Sequence, residues 1–203
     1  MLTADQALER LRTGNERFVA QERRRRAGEA GRRESLVSGQ APFAVILGCS
    51  DSRVPVELVF DQDLGDLFVI RVAGNVVAPS QIGSVEFAAE AFGSSLVVVL
   101  GHSHCGAVTA TLEALQDPES TRSRNLHSIV NRIRPAVASL LEGDSPLSTD
   151  DLCARAVRAN IRASVHALSA SSQLLEQRML DGRLRIVGAE YSLESGVVEF
   201  IDD

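Results

Sequence analysis

Three short runs of apolar residues follow one another in the first half of the sequence, each about the length of a buried strand. They are Phe43–Gly48, Leu67–Val72 and Ser95–Gly101, and the third is the richest in β-branched residues. Helical patterns separate them, most clearly over Gln81–Phe92, where apolar residues recur at helical spacing. Buried apolar strands that alternate with helices are typical of an α/β fold with a mainly parallel sheet.

The rest of the chain is predicted to be largely helical, with a pair of strands near its end. An amphipathic helix is predicted over Ala4–Gln21, within an N-terminal helical arm formed by residues 1–40. The further predicted helices are Ala107–Leu115, Asn125–Leu141 with a kink at Pro135, and Thr149 to about Leu180. Leu184–Val187 and Val197–Ile201 are predicted to form a final strand pair. We therefore predict an α/β fold in a single domain (1–203), with a central, mainly parallel but mixed β-sheet flanked by helices.

Charge and composition limit the class of protein. The 203 residues have a net charge of −6, and all 21 basic residues are arginine. This acidic balance lacks the basic footprint of a nucleic-acid-binding domain, so no nucleic-acid partner is expected. The arginines at Arg23–Arg26, Arg32 and Arg33 are interpreted as a solvated surface rather than an anion or partner site, because no aromatic residues lie between them.

The sequence also gives expectations for the location of the protein and for the role of its cysteines. The apolar runs are far shorter than a membrane span, so no membrane association is expected. The N-terminal residues have an acid at Asp5 and no apolar segment typical of a signal peptide, so a cytoplasmic location is expected. Three cysteines, an odd number in such a chain, indicate metal binding or catalysis rather than a disulfide framework.

Two conspicuous motifs come directly after the first and third predicted strands. They are Gly48-Cys49-Ser50-Asp51-Ser52-Arg53 and Gly101-His102-Ser103-His104-Cys105-Gly106. Ligands of open α/β sheets bind just beyond the carboxyl ends of strands, so Cys49 faces His102 and Cys105 if these two strands are neighbours. Two thiolates and one imidazole suit Zn²⁺, and three protein ligands leave a fourth position open, as in a catalytic zinc site.

Each of these residues also has an ordinary structural interpretation. Cys49 alone could be a buried core cysteine, and His102 alone a hydrogen-bonded histidine at the end of a strand. Cys153, on a predicted late helix, is interpreted as a core residue. The combination favours zinc, because both motifs end buried strands beside glycines and because Asp51 and Arg53 follow the first cysteine.

Both motifs resemble the signatures of β-class carbonic anhydrases, which are Cys-Ser-Asp-Ser-Arg, here at 49–53, and Gly-His-x-x-Cys-Gly, here at 101–106. Arg71–Asn75 resembles the segment between them, with Val72 in place of the commoner asparagine. Gly14–Phe18 resembles the N-terminal helix of the family. The resemblance runs from about residue 10 onwards and implies a lyase with one Zn²⁺ per subunit, which reversibly hydrates CO₂ to bicarbonate and a proton.

The same resemblance assigns roles to the residues of the first motif. Zinc lowers the pKa of a bound water to about 7 in a carbonic anhydrase site, which gives a hydroxide nucleophile at neutral pH. Two thiolate ligands oppose this acidification, and a hydrogen-bond acceptor beside the water helps to restore it. Asp51 is the natural acceptor, held and kept ionised by Arg53. The alternative for this pair is a structural salt bridge.

Asp51 has a second implied role, as a fourth zinc ligand. In some family members this aspartate closes onto the zinc and inactivates the enzyme. Those members have a bicarbonate effector site that includes a tryptophan, and here that position is Ile46 in a chain without tryptophan. Arg71 and Tyr191 match the other two effector positions. The incomplete set favours the open form, in which Asp51 is not a ligand.

Substrate-binding residues are implied by their positions. Gln40 resembles the glutamine that hydrogen-bonds substrate, Phe68 and Phe87 the aromatics over the CO₂ pocket, and Ala73 the small residue beside it. Gly106, in the second motif, is placed with them. In the family the glutamine and the aromatics reach in from a neighbouring subunit, which implies a homodimer or a dimer of dimers. Core packing is the alternative for the two phenylalanines.

Two other functions stay open at the level of the sequence. A CS₂ or COS hydrolase could use the same scaffold. A non-catalytic zinc or redox-sensing protein could use Cys49 and Cys105 as thiols, although such a sensor has no need of the Asp51–Arg53 pair. His104 could relay protons, on the ground of its adjacency to a ligand alone.

Overall fold

One five-stranded sheet forms the centre of the protein. The computed structural model describes residues 2–22, 29–117, 123–142 and 148–201. The strands are β1 (Ala44–Gly48), β2 (Leu67–Arg71), β3 (Leu96–His102), β4 (Arg185–Tyr191) and β5 (Val198–Ile201), in the spatial order β2-β1-β3-β4-β5. Strands β1 to β4 are parallel to one another, and β5 is antiparallel to β4. The predicted α/β fold with a mixed, mainly parallel sheet is therefore confirmed.

Helices cover both faces of this sheet. They are α1 (Ala4–Val19), α2 (Glu29–Ser35), α3 (Val56–Val59), α4 (Pro79–Ala91), α5 (Gly106–Gln116), α6 (Arg124–Val137), α7 (Thr149–Ala170) and α8 (Gln173–Leu180). Thr3 begins α1 with a reciprocal capping box, in which its side chain accepts from the Gln6 N–H and the Gln6 side chain accepts from the Thr3 N–H. Within the described ranges, no helix has both the length and the apolar character needed to cross a bilayer.

The core has two layers because side chains alternate between the faces of a strand. On β1, Val45 and Leu47 pack into a cluster with residues of α4 to α8, whereas Ala44 and Ile46 pack against α1 and α3 on the opposite face. Every residue of β1 and β3 is buried. This double burial explains why both strands are continuous apolar runs rather than alternating patterns.

Several predicted boundaries were wrong. The long helix predicted from Thr149 is interrupted after Ala170, because the Ser172 hydroxyl caps a new helix by accepting from the Leu175 N–H. The helix that contains Pro135 ends at Val137, and a 3-10 turn over 138–141 follows it. The strand predicted to end at Val187 continues to Tyr191, because it pairs with β3 on one side and β5 on the other.

The basic stretch is only partly described. Arg23–Arg26 lie outside the described residues. Arg32 donates hydrogen bonds to the Leu64 carbonyl at 3.0 Å and to Asp66 at 3.2 Å, so this arginine supports the loop before β2. The prediction of a single domain over residues 1–203, with an N-terminal helical arm over residues 1–40, stays a prediction.

Candidate metal centre

The centre lies where the chain changes direction across the sheet. After β1 the chain adds β2 on one side, and it then crosses to add β3 on the other. A crevice opens at such a switch point, outside the carboxyl ends of the two diverging strands. Gly48 and Leu100 are paired in register there, so Cys49 directly follows β1 beside the end of β3. The two motifs thus meet at one edge of the sheet.

Cys49, His102 and Cys105 form a compact, buried group. Their ligand atoms all lie within 4.8 Å of one another, and the residues are 5%, 0% and 2% exposed. His102 is the last residue of β3, and Cys105 immediately precedes α5. Free thiols this close to an imidazole provide the two-sulfur, one-nitrogen donor set that suits zinc.

His102 is oriented as a metal ligand would be. Its Nδ1 lies 2.8 Å from the Ser103 carbonyl, which can only accept, so Nδ1 bears the ring proton. Its Nε2 is buried and has no hydrogen-bond partner among the described residues. Burying an unpaired polar atom is costly, and a metal ion at this position would satisfy the lone pair of Nε2.

A backbone turn supports the sulfur of Cys49. The Gly74 N–H donates to Cys49 Sγ at 3.3 Å, from a 3-10 turn over Ala73–Asn75. Gly74 has a φ of 67°, and a Cβ at this position would lie 2.8 Å from Cδ1 of Ile133. Glycine therefore meets both the backbone conformation and the close packing that this donor requires. Asn160 donates to the Gly74 carbonyl at 2.8 Å and holds the turn from α7.

The two thiols differ in how readily they ionise. The hydrogen bond from Cys105 lowers the pKa of Cys49 to about 4, against the opposing effect of burial, and His102 and Gly74 add to the lowering. The pKa of Cys105 is raised, because its proton is held against the neighbouring Cys49 sulfur and because it is buried. Burial is the largest single effect and lowers the pKa of His102, but contact with Cys49, the Ser103 carbonyl and the charge of Asp51 together raise it. A cation at this point would replace the proton between the sulfurs.

Asp51 and Arg53 form a paired dyad beside this group. The Arg53 guanidinium donates to both carboxylate oxygens of Asp51, at 3.0 and 2.8 Å, and the Arg53 backbone N–H donates at 2.9 Å. These bonds hold the pKa of Asp51 well below its usual range. Oδ2 of Asp51 is 3.9 Å from His102 Nε2, so the carboxylate borders the metal group while it stays paired with arginine.

Arg71 has a supporting role that sequence reasoning missed. It donates to the Cys49 carbonyl at 3.0 Å and to the Asp51 carbonyl at 2.6 Å, and so fixes the backbone of the first motif. The sequence placed Arg71 in a family-like segment, and the role that the resemblance implied for it was in an effector site. Its position at the end of β2, opposite Gly48 in register, was the available signal.

Only part of the predicted substrate-binding set lies at this edge. Ala73 adjoins Gly74, and Gly106 begins α5, where a Cβ would meet nothing within 4 Å in the described part of the chain. Phe68 lies in β2, three residues before its carboxyl end, where it is paired with Val45 of β1.

Phe68, Phe87 and Phe92 instead form an aromatic cluster, with ring centroids 5.5–6.1 Å apart. Phe87 is 55% exposed. Gln40 is also exposed and lines a separate surface cavity of about 550 Å³ with Arg33 and Leu64. A single chain therefore does not bring these predicted substrate-binding residues to the metal group.

Comparisons with known proteins agree with this geometry. The family model described as carbonic anhydrase matches residues 44–198. The chain is 40% identical over 186 residues to carbonic anhydrase 2 of Mycobacterium tuberculosis, across 92% of this chain and 87% of that protein. It is 41% identical over 190 residues to a carbonic anhydrase of Mycolicibacterium smegmatis, across 93% of this chain and 89% of that protein.

A solved structure shows the same likeness in three dimensions. The crystal structure of a β-carbonic anhydrase from Aspergillus fumigatus superposes with a TM-score of 0.76 at 28% identity, over 84% of this chain and 80% of that one. The predicted enzyme class is thereby confirmed, together with the resemblance that the two motifs indicated. This chain belongs to the β-class carbonic anhydrase family.

Proposed function

We propose that this chain hydrates CO₂ reversibly with a zinc ion held by Cys49, His102 and Cys105, and with Asp51 and Arg53 orienting the attacking water. The observation behind this proposal is the buried Cys-His-Cys group. Its Nε2 atom has no hydrogen-bond partner in the described part of the chain and lies 3.9 Å from an arginine-paired carboxylate. Zinc bound in such a site acts as a Lewis acid that lowers the pKa of water to about 7.

Asp51 has the properties of a fixed hydrogen-bond acceptor. Arg53 keeps it ionised, so it offers only acceptor oxygens at neutral pH. The two-pronged pairing fixes the plane of the carboxylate, and this leaves Oδ2 at the border of the metal group. We infer that Asp51 accepts a hydrogen bond from the attacking water. This bond orients the water so that a lone pair of its oxygen points towards CO₂. The intact pair also supports the open form, in which Asp51 is not a ligand.

The substrate side of the pocket is proposed to need a second copy of the chain. Gln40, Phe68 and Phe87 lie away from the metal group within one chain, and Phe87 exposes more than half of its surface. A homodimer, or a dimer of dimers, would bring these residues over a neighbouring metal centre and close a largely apolar pocket for CO₂. Ala73 and Gly106 would border the same pocket from the chain that holds the metal. A cytoplasmic location also stays a prediction.

Stopped-flow CO₂ hydration with zinc analysis tests the proposal. Wild type should contain one zinc per chain and hydrate CO₂. Asp51→Ala should keep its zinc and lose about 10–100-fold in kcat, the usual cost of removing an outer partner of a metal site. Asp150→Ala, at an exposed aspartate in the first turn of α7, is the matched control and should behave as wild type.

Three results would contradict parts of the proposal. A zinc-loaded wild type without CO₂ hydration would exclude the main function, and turnover of CS₂ or COS by that protein would favour a hydrolase. A protein that binds zinc, turns over none of these substrates and responds to oxidants through its thiols would be a sensor. An unchanged kcat in Asp51→Ala would exclude the role given to Asp51 alone.

A further inference from the structure

The loop between β4 and β5, residues 192–197, touches the loop that contains the metal ligands. From it, Glu194 reaches the ligand loop with both carboxylate oxygens. Oε1 lies 2.6 Å from Nε2 of His104, and Oε2 accepts from the Ser103 hydroxyl at 3.0 Å. Ser103 and His104 are the two residues between the ligands His102 and Cys105. Glu194 therefore contacts both residues that determine the separation of two ligands.

Ser103 is held at three points by this loop and the strand before it. Its N–H donates to the Tyr191 carbonyl at 3.0 Å, and its hydroxyl accepts from the Leu193 N–H at 2.9 Å while donating to Glu194. The Ser103 carbonyl in turn holds Nδ1 of His102. A displacement of Ser103 would therefore rotate the imidazole and move Nε2 away from the two sulfurs.

His104 has an unusual backbone that needs support. Its φ of 53° is in the left-handed region, which is uncommon for a residue with a side chain. The residue is nevertheless 61% exposed at its side chain, so packing does not hold it. Its bond to Glu194 and a 3.4 Å bond from Arg53 to its carbonyl help to hold it in this conformation. This conformation turns the chain so that Cys105 faces back towards His102.

Contacts outside the ligand loop also hold Glu194 and the loop that carries it. Within its own loop, Ser192 donates to Oε2 at 3.0 Å, and the Ser195 N–H donates to the Ser192 hydroxyl at 3.1 Å. On the far side, the buried Asn15 of α1 donates to the Gly196 carbonyl at 2.9 Å and accepts from the Val198 N–H at 2.8 Å. These hydrogen bonds hold the carboxylate in place although the Glu194 side chain is 58% exposed.

We propose that Glu194 is a positioning residue of the metal centre, which fixes Ser103 and His104 so that His102 and Cys105 direct their ligand atoms to one point. This inference rests on the proposed zinc site. It adds a residue that neither motif contains and that reaches the ligand loop through Ser103 and His104. The role of Glu194 is thus to shape the ligand set rather than to take part in the reaction.

The test uses the full chain loaded with zinc or with cobalt(II). Glu194→Ala should release zinc to an excess of a chelator about tenfold faster than wild type, as removal of an outer partner of a metal site typically does. Its cobalt(II) form should show shifted visible bands, because those bands report the angles between ligands. Glu194→Gln keeps an acceptor for the serines and should recover part of the loss. Glu113→Gln, at an exposed residue of α5, is the matched control.

The outcomes separate this inference from the proposed function. If wild type binds both metals, while Glu194→Ala releases zinc at the wild-type rate with an unchanged cobalt(II) spectrum, the role of Glu194 is excluded and the zinc site stands. A wild type that takes up neither metal would overturn both. Circular dichroism of the metal-free variants should match wild type, and a Glu194→Ala protein that is globally unfolded would show that the residue supports the fold rather than the ligands.

Discussion

The metal group and the aromatic cluster both lie beside the same sheet, yet only the metal group is enclosed by its own chain. Cys49, His102 and Cys105 are almost entirely buried, and their ligand atoms lie within 4.8 Å of one another. Phe68 and Phe87 lie on the edge strand β2 and the helix that follows it, and Phe87 is more than half exposed. One region is enclosed by its own chain, whereas the other presents apolar surface to solvent.

The difference has a topological origin. The ligands follow the ends of β1 and β3, which are central and adjacent, so the order of the strands alone brings them together. Phe68 and Phe87, by contrast, lie on the edge strand β2 and on α4, where a single chain offers no second wall. We therefore expect the metal half of the site to depend on one chain and the substrate half to depend on two.

The largest effect is expected from breaking the metal half. Cys49→Ser should lose zinc and lower CO₂ hydration by about 10³-fold or more, because Cys49 would hold the ion that activates the attacking water. Metal analysis and stopped-flow rates on the same samples measure both losses. Cys153→Ser changes a half-buried cysteine of α7 outside the metal group and should retain zinc and activity. Full activity in Cys49→Ser would show that this group is not the catalytic centre.

A mixture of two impaired chains tests whether the substrate half comes from a partner. Gln40→Ala should lower activity on its own, and Cys49→Ser should abolish it. In a mixed dimer, the metal of the Gln40→Ala chain would meet the intact Gln40 of the other chain. Random mixing after unfolding and refolding should therefore restore about a quarter of the sites, as expected for a two-fold symmetric dimer.

The same mixture also has a clear negative result. If Gln40 acts within its own chain, every site in the mixed dimer has one defect, and activity will not exceed that of the Gln40→Ala parent. Parents taken separately through the same unfolding and refolding steps are the control.

A smaller effect is expected at the turn that supports Cys49. Gly74→Ala should lower the free energy of unfolding by about 1–3 kcal/mol, because a Cβ there would crowd Ile133 and Ala107 at a positive φ. Denaturant titration measures this change. Gly83→Ala is the matched control, since Gly83 lies within α4 with no described atom within 4 Å of an added methyl group, and it should be neutral or stabilising by about 0.5–1 kcal/mol. Equal stabilities for the two variants would show that the turn is not strained by added volume.

Local sequence patterns were sufficient for the elements next to the candidate metal group. The apolar runs of β1 and β3 predict buried strands, and the glycine-flanked motifs directly after them predict ligands at one edge. Patterns failed where distant residues decide the structure. Helical periodicity continues across Ser171 and Ser172, so the break between α7 and α8 depends on capping and on the bond from Ser172 to Glu86.

The supporting residues were the hardest to predict. Arg71 acts on a motif 20 or more positions earlier, and Glu194 acts on a loop about 90 positions earlier. A glutamate in a polar loop resembles any solvated turn until the sheet brings that loop beside β3. Positions within a motif can be inferred from spacing, whereas supports that arise from tertiary contacts need the fold.

The contacts of Asn15 have a consequence for how the protein reaches its native state. This side chain joins α1 to Gly196 and Val198, which are 181 and 183 positions away along the chain. Contacts between such distant positions form slowly, because a large loop must close before they contribute. The loop that they anchor also supports the ligand loop, so the ligands reach their final arrangement late. Zinc should therefore leave the refolding rate unchanged and slow only unfolding. Stopped-flow measurements of refolding and unfolding, with and without the metal, would reveal this difference.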